Sequence, residues 1–544
     1  MRYSAQNRGR IDVRKRRVEG RVERYNGCVS ASPIPTGLPL PKRIPRPGNA
    51  NVRVARALPD PQLCEQARLS RDPRFDGLFF TGVISTRIYC RPVCPARWAT
   101  RVVYFTTAAA AEAAGFRPCL RCRPELSPDA GAWRRSDEVV ARALKLIQQG
   151  SPEEEPLPAL AARLGIGERQ LRRLFVERLG APPIAVRRTR RLLFAKQLLT
   201  ETRLPIIQVA LAAGFGSLRR FNAAFRDAYR MAPSQLRRQP SVACDESLTL
   251  RLAYRPPFDL QSTLDFLRAR AVPSVEVVDA HGYARLLPPE PADHHASPAW
   301  VRITAWPNDA TAMKLEVHGV AATELLAIRD RTRRMFDLDA DPCGIERALS
   351  GCDTLRRFVR RRPGLRIPGG WDGFEVAVQA IISRRVPPTV ARATAGRLVQ
   401  RFGTRVPVIP APGLDRLFPT AAQLADADLG GIGLSPEQAE AIRSIARALR
   451  QGQVDFNPDR TLDDFVTRWT SLPGIDAWTA EYLALRVLGH PDAFPIDENV
   501  LASACAADGA QRTAAEPCAA VEAWRPWRGY AAIHLWRQSD AAWV

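Results

Sequence analysis

Nowhere does the chain hold an apolar run long enough to cross a bilayer, and its N-terminus carries no apolar leader. Those absences argue against a helical membrane protein and a secreted one, so a cytosolic protein is expected. Acidic residues are also in deficit: 56 Asp and Glu stand against 80 Lys and Arg, for a formal charge of +24 and a pI near 10.4. That imbalance favours a polyanionic partner, nucleic acid first. On charge alone an arginine-rich composition without such a partner stays open. Cysteine is sparse, with 11 in 544 residues. In a reducing compartment, close pairs of cysteines are more often metal ligands or reactive thiols than disulfides, so their spacing is informative. A chain of 544 residues also exceeds what one hydrophobic core supports, and three or four domains are expected.

Residues 1–55 combine a basic run (Arg14, Lys15, Arg16, Arg17) with a Pro/Gly-rich stretch from Pro33 to Gly48 and have no sustained periodicity. They read as a disordered basic tail that binds DNA loosely, or as sequence upstream of a true start near Ala57; both readings remain. Residues 56–127 hold the clustered cysteines, and 132–240 a series of short amphipathic helical patterns separated by Gly and Pro. Across 246–330 apolar residues alternate in Leu248-Thr-Leu-Arg-Leu252 and Ser274-Val-Glu-Val-Val278, which predicts a small antiparallel sheet. From about Glu324, and through 331–544, the period is helical, with turn signals at Pro368-Gly-Gly370 and Leu472-Pro-Gly474. The fold class expected is multidomain α+β.

Cys90-Arg-Pro-Val-Cys94 and Cys119-Leu-Arg-Cys122 are two close pairs joined by a connector that contains the strand-like Val102-Val-Tyr-Phe105. Four thiolates so spaced close a tetrahedral Zn²⁺ site, and spacing alone fits a structural zinc knot as well as a reactive thiolate. The stretches Phe79-Phe-Thr-Gly-Val83, Tyr89 through Arg97, and Ala114-Gly-Phe-Arg-Pro-Cys-Leu-Arg-Cys122 resemble the Ada methyl-acceptor domain. The resemblance implies one zinc ion on Cys90, Cys94, Cys119 and Cys122, and irreversible transfer of a methyl group from a DNA methylphosphotriester to Cys90. Zinc keeps sulfur deprotonated yet nucleophilic. Arg91, Arg97, Arg117, Arg121 and Arg123 are candidate phosphate contacts. Methylation takes one negative charge from the cluster, lowers its repulsion toward phosphates and so raises DNA affinity.

Leu157 to Gly165 followed by Ile166 to Phe175 reads as helix, tight turn and basic helix, and Ile206 to Gly214 followed by Ser217 to Arg226 repeats the pattern. In a helix-turn-helix the second helix enters the major groove, which places Arg169, Gln170, Arg172, Arg173, Arg219, Arg220 and Asn222 toward DNA. The duplication, Arg219-Arg-Phe-Asn222 and the closing Ala232-Pro-Ser-Gln-Leu-Arg237 resemble the AraC-type domain, which implies sequence-specific DNA binding.

Leu472-Pro-Gly-Ile-Asp-Ala-Trp478 reads as a hairpin between helices whose backbone N–H groups at Gly474, Ile475 and Asp476 face a phosphate. Beyond it lies Phe494-Pro-Ile-Asp-Glu-Asn-Val500. With Leu252 to Asp259, Ala269 to Glu276, Arg362 to Gly369 and Trp524 to Arg528, these segments resemble the AlkA-type helix-hairpin-helix glycosylases of the DNA-3-methyladenine glycosylase II type. The resemblance implies flipping of an alkylated purine into a pocket of Trp478, Tyr482 and Trp536, and hydrolysis assisted by Asp497, with adjacent Glu498 exchanging roles if the alignment slips by one residue. Two departures stand out. Asp476 replaces the usual second hairpin Gly, an expected αL-tolerant position, and puts negative charge near the phosphate. Ser383-Arg384-Arg385 occupies the segment that usually carries Gly-Gln and then the wedge, which makes Arg385 the wedge.

Together these readings predict a cytoplasmic, nucleoid-associated and monomeric protein for repair of alkylated DNA and control of the adaptive response, with duplex and promoter DNA and RNA polymerase as partners. Two alternatives stay open: a methylation-activated transcription factor whose glycosylase domain is catalytically degenerate, and a zinc-stabilised DNA-binding protein with an inert Cys90. No Pro-Cys-His-Arg stretch of the O6-alkylguanine transferases is present, so that activity is expected to be missing.

Overall fold

The computed structural model describes residues 58–129, 138–149, 155–237, 247–288, 298–351, 353–384, 386–496 and 521–538. The basic tail expected at 1–55 lies outside them. No helix among the described residues is long and apolar enough to cross a membrane.

The first module begins with α1 (Pro61–Ser70), capped by the Asp60 carboxylate on the Gln62 N–H at 2.8 Å. Then come β1 (Phe80–Val83), β2 (Ile88–Cys90), β3 (Val102–Phe105), α2 (Ala108–Ala113) and β4 (Arg117–Pro118). The sheet order is β3-β1-β2-β4, with β4 parallel to β2 and the other pairs antiparallel. The parallel bridge Tyr89↔Pro118 brings the second cysteine pair beside the first.

Seven helices follow: α3 (Glu138–Gln149), α4 (Leu157–Arg163), α5 (Glu168–Leu179), α6 (Pro183–Glu201), α7 (Ile206–Ala212), α8 (Leu218–Tyr229) and α9 (Pro233–Leu236). Both expected helix-turn-helix pairs are present, α4–α5 and α7–α8, with the 19-residue α6 between them. The first pair has its own core around Leu160, Leu171 and Phe175. The second shares one continuous core with everything C-terminal to it, through Phe221, Phe225 and Tyr229.

The sheet forecast from two segments has five strands: β5 (Ser247–Ala253), then α10 (Leu260–Arg270), β6 (Glu276–Val278), β7 (Gly282–Leu286), β8 (Trp300–Ala305) and β9 (Ala312–His318). They are all antiparallel in the order β5-β9-β8-β7-β6. Ser274 is not in a strand; its φ of 74° makes a turn before β6.

The rest is helical: α11 (Leu325–Met335), α12 (Pro342–Leu349), α13 (Asp353–Arg361), α14 (Gly373–Ser383), α15 (Pro388–Phe402), α16 (Ala421–Leu424), α17 (Pro436–Arg450), α18 (Leu462–Thr470), α19 (Ala477–Arg486) and α20 (Arg528–Gln538). The modules are bolted together by buried cations that donate to backbone carbonyls. Arg255, fully buried, reaches Asp76 O at 2.8 Å, Asp339 O at 2.6 Å and Ala340 O at 3.0 Å, and Lys145 on α3 reaches Leu488 O at 2.6 Å.

Candidate functional site

Cys90 ends β2, Cys94 lies in the turn behind it, and Cys119 and Cys122 follow β4. Their four Sγ atoms lie within 4.8 Å of one another, the one potential metal-binding group of His, Cys, Asp and Glu among the described residues. Zn–S bonds of about 2.3 Å at tetrahedral angles put sulfurs about 3.8 Å apart, a spacing compatible with that bound. The backbone already favours anionic sulfur: the Arg91 N–H donates to Cys122 Sγ and the Arg121 N–H to Cys119 Sγ, each at 3.4 Å. The donor set and these contacts fit one zinc ion.

The surrounding arginines divide. Arg97 and Arg121 are exposed and Arg117 half-buried, as phosphate contacts require. Arg91 departs from that expectation: it is 9 % exposed, its Nε donates to Asp76 at 2.9 Å and its Nη1 to Cys122 O at 3.1 Å, so it braces the loop beneath the sulfurs. Arg123 is likewise spent inside the protein, on Glu125 and on Glu201 of α6. Sequence reading missed the buried Lys196 of α6, whose Nζ donates to Glu125 at 2.5 Å and to the carbonyl of Cys119 at 3.2 Å. A lysine inside an amphipathic helix gives no local sign of a partner some 70 residues away.

On the helix-turn-helix units, Arg169, Gln170, Arg172 and Arg173 of α5 and Arg219 and Arg220 of α8 are exposed, and Asn222 is half-buried. Arg172 pairs with Glu168 at 2.6 Å, a surface contact that a phosphate outcompetes at little cost. The Ser217 hydroxyl accepts from the Arg220 N–H at 3.2 Å and fixes the start of α8.

The hairpin between α18 and α19 is as expected, and Gly474 is its left-handed residue, with φ +79°. A Cβ there would stand 2.6 Å from that of Ala441 on α17. Ile475 is buried. Asp476 proves not to need glycine: its φ of −88° is extended, and it is the N-cap of α19, accepting from the Thr479 N–H at 2.8 Å and its hydroxyl at 2.6 Å. Burial alone would raise its carboxyl, but those bonds and the Arg384 guanidinium hold it below the usual carboxylate range.

One helical turn brings Trp478 and Tyr482 into a stack, centroids 5.0 Å apart and planes within 14°, and Trp536 of α20 stands 6.1 Å from Tyr482. The Tyr482 hydroxyl accepts from Arg486 Nη1 at 2.5 Å. Burial would raise that phenol, but Arg486 and Arg270 pull it below its ordinary value. Arg384, which the sequence marked only as part of the segment before the wedge, sets its guanidinium carbon 4.5 Å from the Trp478 ring centroid and its Nε 3.1 Å from Asp476. The expected carboxylate Asp497, its neighbour Glu498 and the expected wedge Arg385 lie outside the described residues.

Three family models match: the metal-binding domain of Ada over residues 63–125, a helix-turn-helix domain over 160–239 and the AlkA N-terminal domain over 249–372. DNA-3-methyladenine glycosylase 2 of Escherichia coli is 32 % identical over 290 residues, 52 % of this chain and 95 % of that protein. The bifunctional transcriptional activator/DNA repair enzyme Ada of the same organism is 41 % identical over 122 residues, 22 % of this chain and 33 % of its own. A Mycobacterium tuberculosis protein named "Probable bifunctional transcriptional activator/DNA repair enzyme AlkA" is 37 % identical over 495 residues, 88 % of this chain and 96 % of that relative. A four-cysteine cluster, paired helix-turn-helix units and stacked aromatic side chains beside a helical hairpin, with 37 % identity over 96 % of that relative, place the chain in the family of bifunctional proteins that fuse an Ada-type zinc domain and an AraC-type module to an AlkA-type glycosylase.

Proposed function

We propose that the protein repairs alkylated DNA in two ways and reports the damage to transcription. The observation that supports this is the pairing, in one chain, of the four-sulfur cluster with a stacked Trp478–Tyr482 pair next to a helical hairpin. Zinc, when bound, keeps the sulfurs as thiolates. Cys90 Sγ then forms a bond to the methyl carbon of a methylphosphotriester while the methyl C–O bond breaks, and the phosphodiester departs with the negative charge. Arg97, Arg117 and Arg121 hold the strand, and the loss of one thiolate charge strengthens DNA binding by α5 and α8 at a promoter. In the glycosylase module the flipped alkylpurine lies against Trp478, Tyr482 and Trp536. Asp497 stabilises the positive charge that grows on the sugar and orients the water that attacks it, while the bond's electrons leave with the base. The protein works as a monomer in the cytoplasm at the nucleoid and signals to RNA polymerase.

One tube tests both activities. Zinc-loaded protein is mixed with duplex DNA carrying methylphosphotriesters and methylated purines; free base and a Cys90 peptide heavier by one methylene are expected, and Asp497→Asn abolishes only the first. Methylated Cys90 without base release would favour the second reading, a damage-triggered activator whose glycosylase module only binds DNA, to which the Arg384–Asp476 ion pair at the start of α19 lends weight.

A further inference from the structure

The first helix-turn-helix unit is docked on the glycosylase module at the end of the α18–α19 pair that lies away from its hairpin turn. Residues just before α18 and just after α19 meet at the open end of that pair, about 15 Å from the turn along the ten residues of α19. Three contacts land there. Lys145 of α3, itself buried, donates to the Leu488 carbonyl at 2.6 Å, Arg142 of α3 donates to the Asp459 carbonyl at 2.7 Å, and Arg163 of α4 pairs with the Asp459 carboxylate at 3.3 Å. Helix α3 is thereby a wall between the glycosylase module and α5. Its Val140, Ala143, Leu146 and Ile147 pack into the core that holds Leu171 and Phe175 of α5, while Arg142 and Lys145 leave it about 140° further round the helix. On α5 the exposed Arg169, Gln170, Arg172 and Arg173 lie across the helix from Leu171 and Phe175. The order through the molecule is hairpin turn, α18–α19, α3, α5 and then the arginines of α5.

We propose that the protein holds two duplex segments at once, one on α5 and one on the hairpin turn, so that a copy seated on one segment acts on a lesion in another. About 15 Å of helix and a further helix spacing of about 8–10 Å separate the two surfaces, and α5 turns its arginines away from the glycosylase module. DNA has a persistence length of about 150 base pairs, so a duplex of about 16 base pairs does not fold back around that span and occupies one surface or the other. The separation also exceeds the screening length of about 8 Å at physiological salt, which keeps the charge of one bound duplex from expelling the other. Because Lys145 and Arg142 fasten α3 through backbone carbonyls, the two surfaces keep this spacing without a linker to extend.

The inference rests on the DNA-binding roles given above to α5 and the hairpin, and its test separates it from the excision reading. The zinc-loaded full chain is mixed, in about 0.15 M ammonium acetate, with two duplexes of about 16 base pairs that differ in mass. One is undamaged and the other carries 2′-fluoro N7-methylguanine, which resists cleavage. Native mass spectrometry then counts duplexes per chain. Wild type at saturation is expected to hold two. Arg169→Glu/Arg173→Glu, which changes only surface side chains of α5, should hold one, and Gly474→Ala, which shifts the hairpin backbone, should likewise hold one. Should Gly474→Ala not fold, wild type and the α5 variant decide. A wild type that exchanges one duplex for the other and never carries two overturns the proposal. So does a folded variant that still carries two, since the second duplex then sits elsewhere on a basic chain. Two duplexes on a chain that releases no alkylated base from cleavable DNA overturns the excision reading and leaves this one standing; base release by a chain that holds one duplex does the reverse.

Discussion

Replacing Lys196 by methionine is the sharpest test of how the zinc module is held. Lys196 is 1 % exposed and pairs with Glu125, whose side chain is fully buried. Removing one partner of such a pair leaves the other as an uncompensated interior charge, at a cost of about 3–5 kcal/mol. Arg123 still reaches Glu125 at 3.1 Å, which places the electrostatic loss at the lower end, about 3 kcal/mol. The carbonyl of Cys119 also loses its 3.2 Å donor, worth about 1 kcal/mol. The expected total is about 4 kcal/mol, and because that carbonyl belongs to a zinc ligand, zinc should escape to a chelator faster in step with the loss of stability. Urea unfolding of zinc-loaded protein, followed together with zinc release to a colorimetric chelator, measures both. The double variant Glu125→Leu/Lys196→Met removes both charges and should recover most of the loss. A single variant within about 1 kcal/mol of wild type, or a double variant worse than the single one, would refute the reasoning.

Gly474→Ala forces a side chain into a left-handed backbone 2.6 Å from Ala441 Cβ, and should cost about 2 kcal/mol and weaken binding to undamaged duplex, read by thermal melting and anisotropy. Burial pushes the His534 imidazole down to about 4, against the pull of Asp259, from an ordinary 6.5. The unfolded chain therefore takes up the proton first, and stability present above pH 6.5 drains away as the pH falls toward 4. His534→Gln should erase about 2 kcal/mol of the acid destabilisation between pH 7 and pH 5, and equal pH dependence of the two proteins in urea titrations would contradict it. Arg169→Ala and Arg219→Ala should each lower the slope of log affinity against log salt by about one, as loss of one phosphate contact requires; an unchanged slope would remove that residue from the interface.

What was legible in the sequence was what repeats or packs locally. Two pairs of cysteines and two Gly-punctuated helix pairs appear in the structure as spacing implied, whereas Trp478 and Tyr482 were named through family resemblance and the i,i+4 stack they form was not read from the sequence. Trp536 came by the same route, and 54 positions along the chain from Tyr482 it offers no local pattern to read. The strand β7 carries no alternation to read, since all five of its residues are buried, whereas β8 alternates in burial and its pattern was there to be found. Arg91 and Arg384 show the remaining difficulty. An arginine near a site looks the same in sequence whether it meets a phosphate, a carboxylate or an indole face, and only tertiary geometry assigns Arg91 to Asp76 and Arg384 to Trp478.

The core that α7 and α8 share with the glycosylase helices sets these modules apart from beads on a string. Tethered domains search for one another through the slack of their linker, and their mutual effective concentration falls as that linker lengthens. Here Arg255, Lys145 and Phe221 remove the slack. Cutting the chain between 237 and 247 should therefore not liberate an independent regulator and an independent enzyme: each half would expose an apolar seam, and the two should re-associate or aggregate. A gene that joined these parts end to end has gained a single tumbling body, in which lengthening a linker would alter neither the spacing of the DNA-facing surfaces nor their timing.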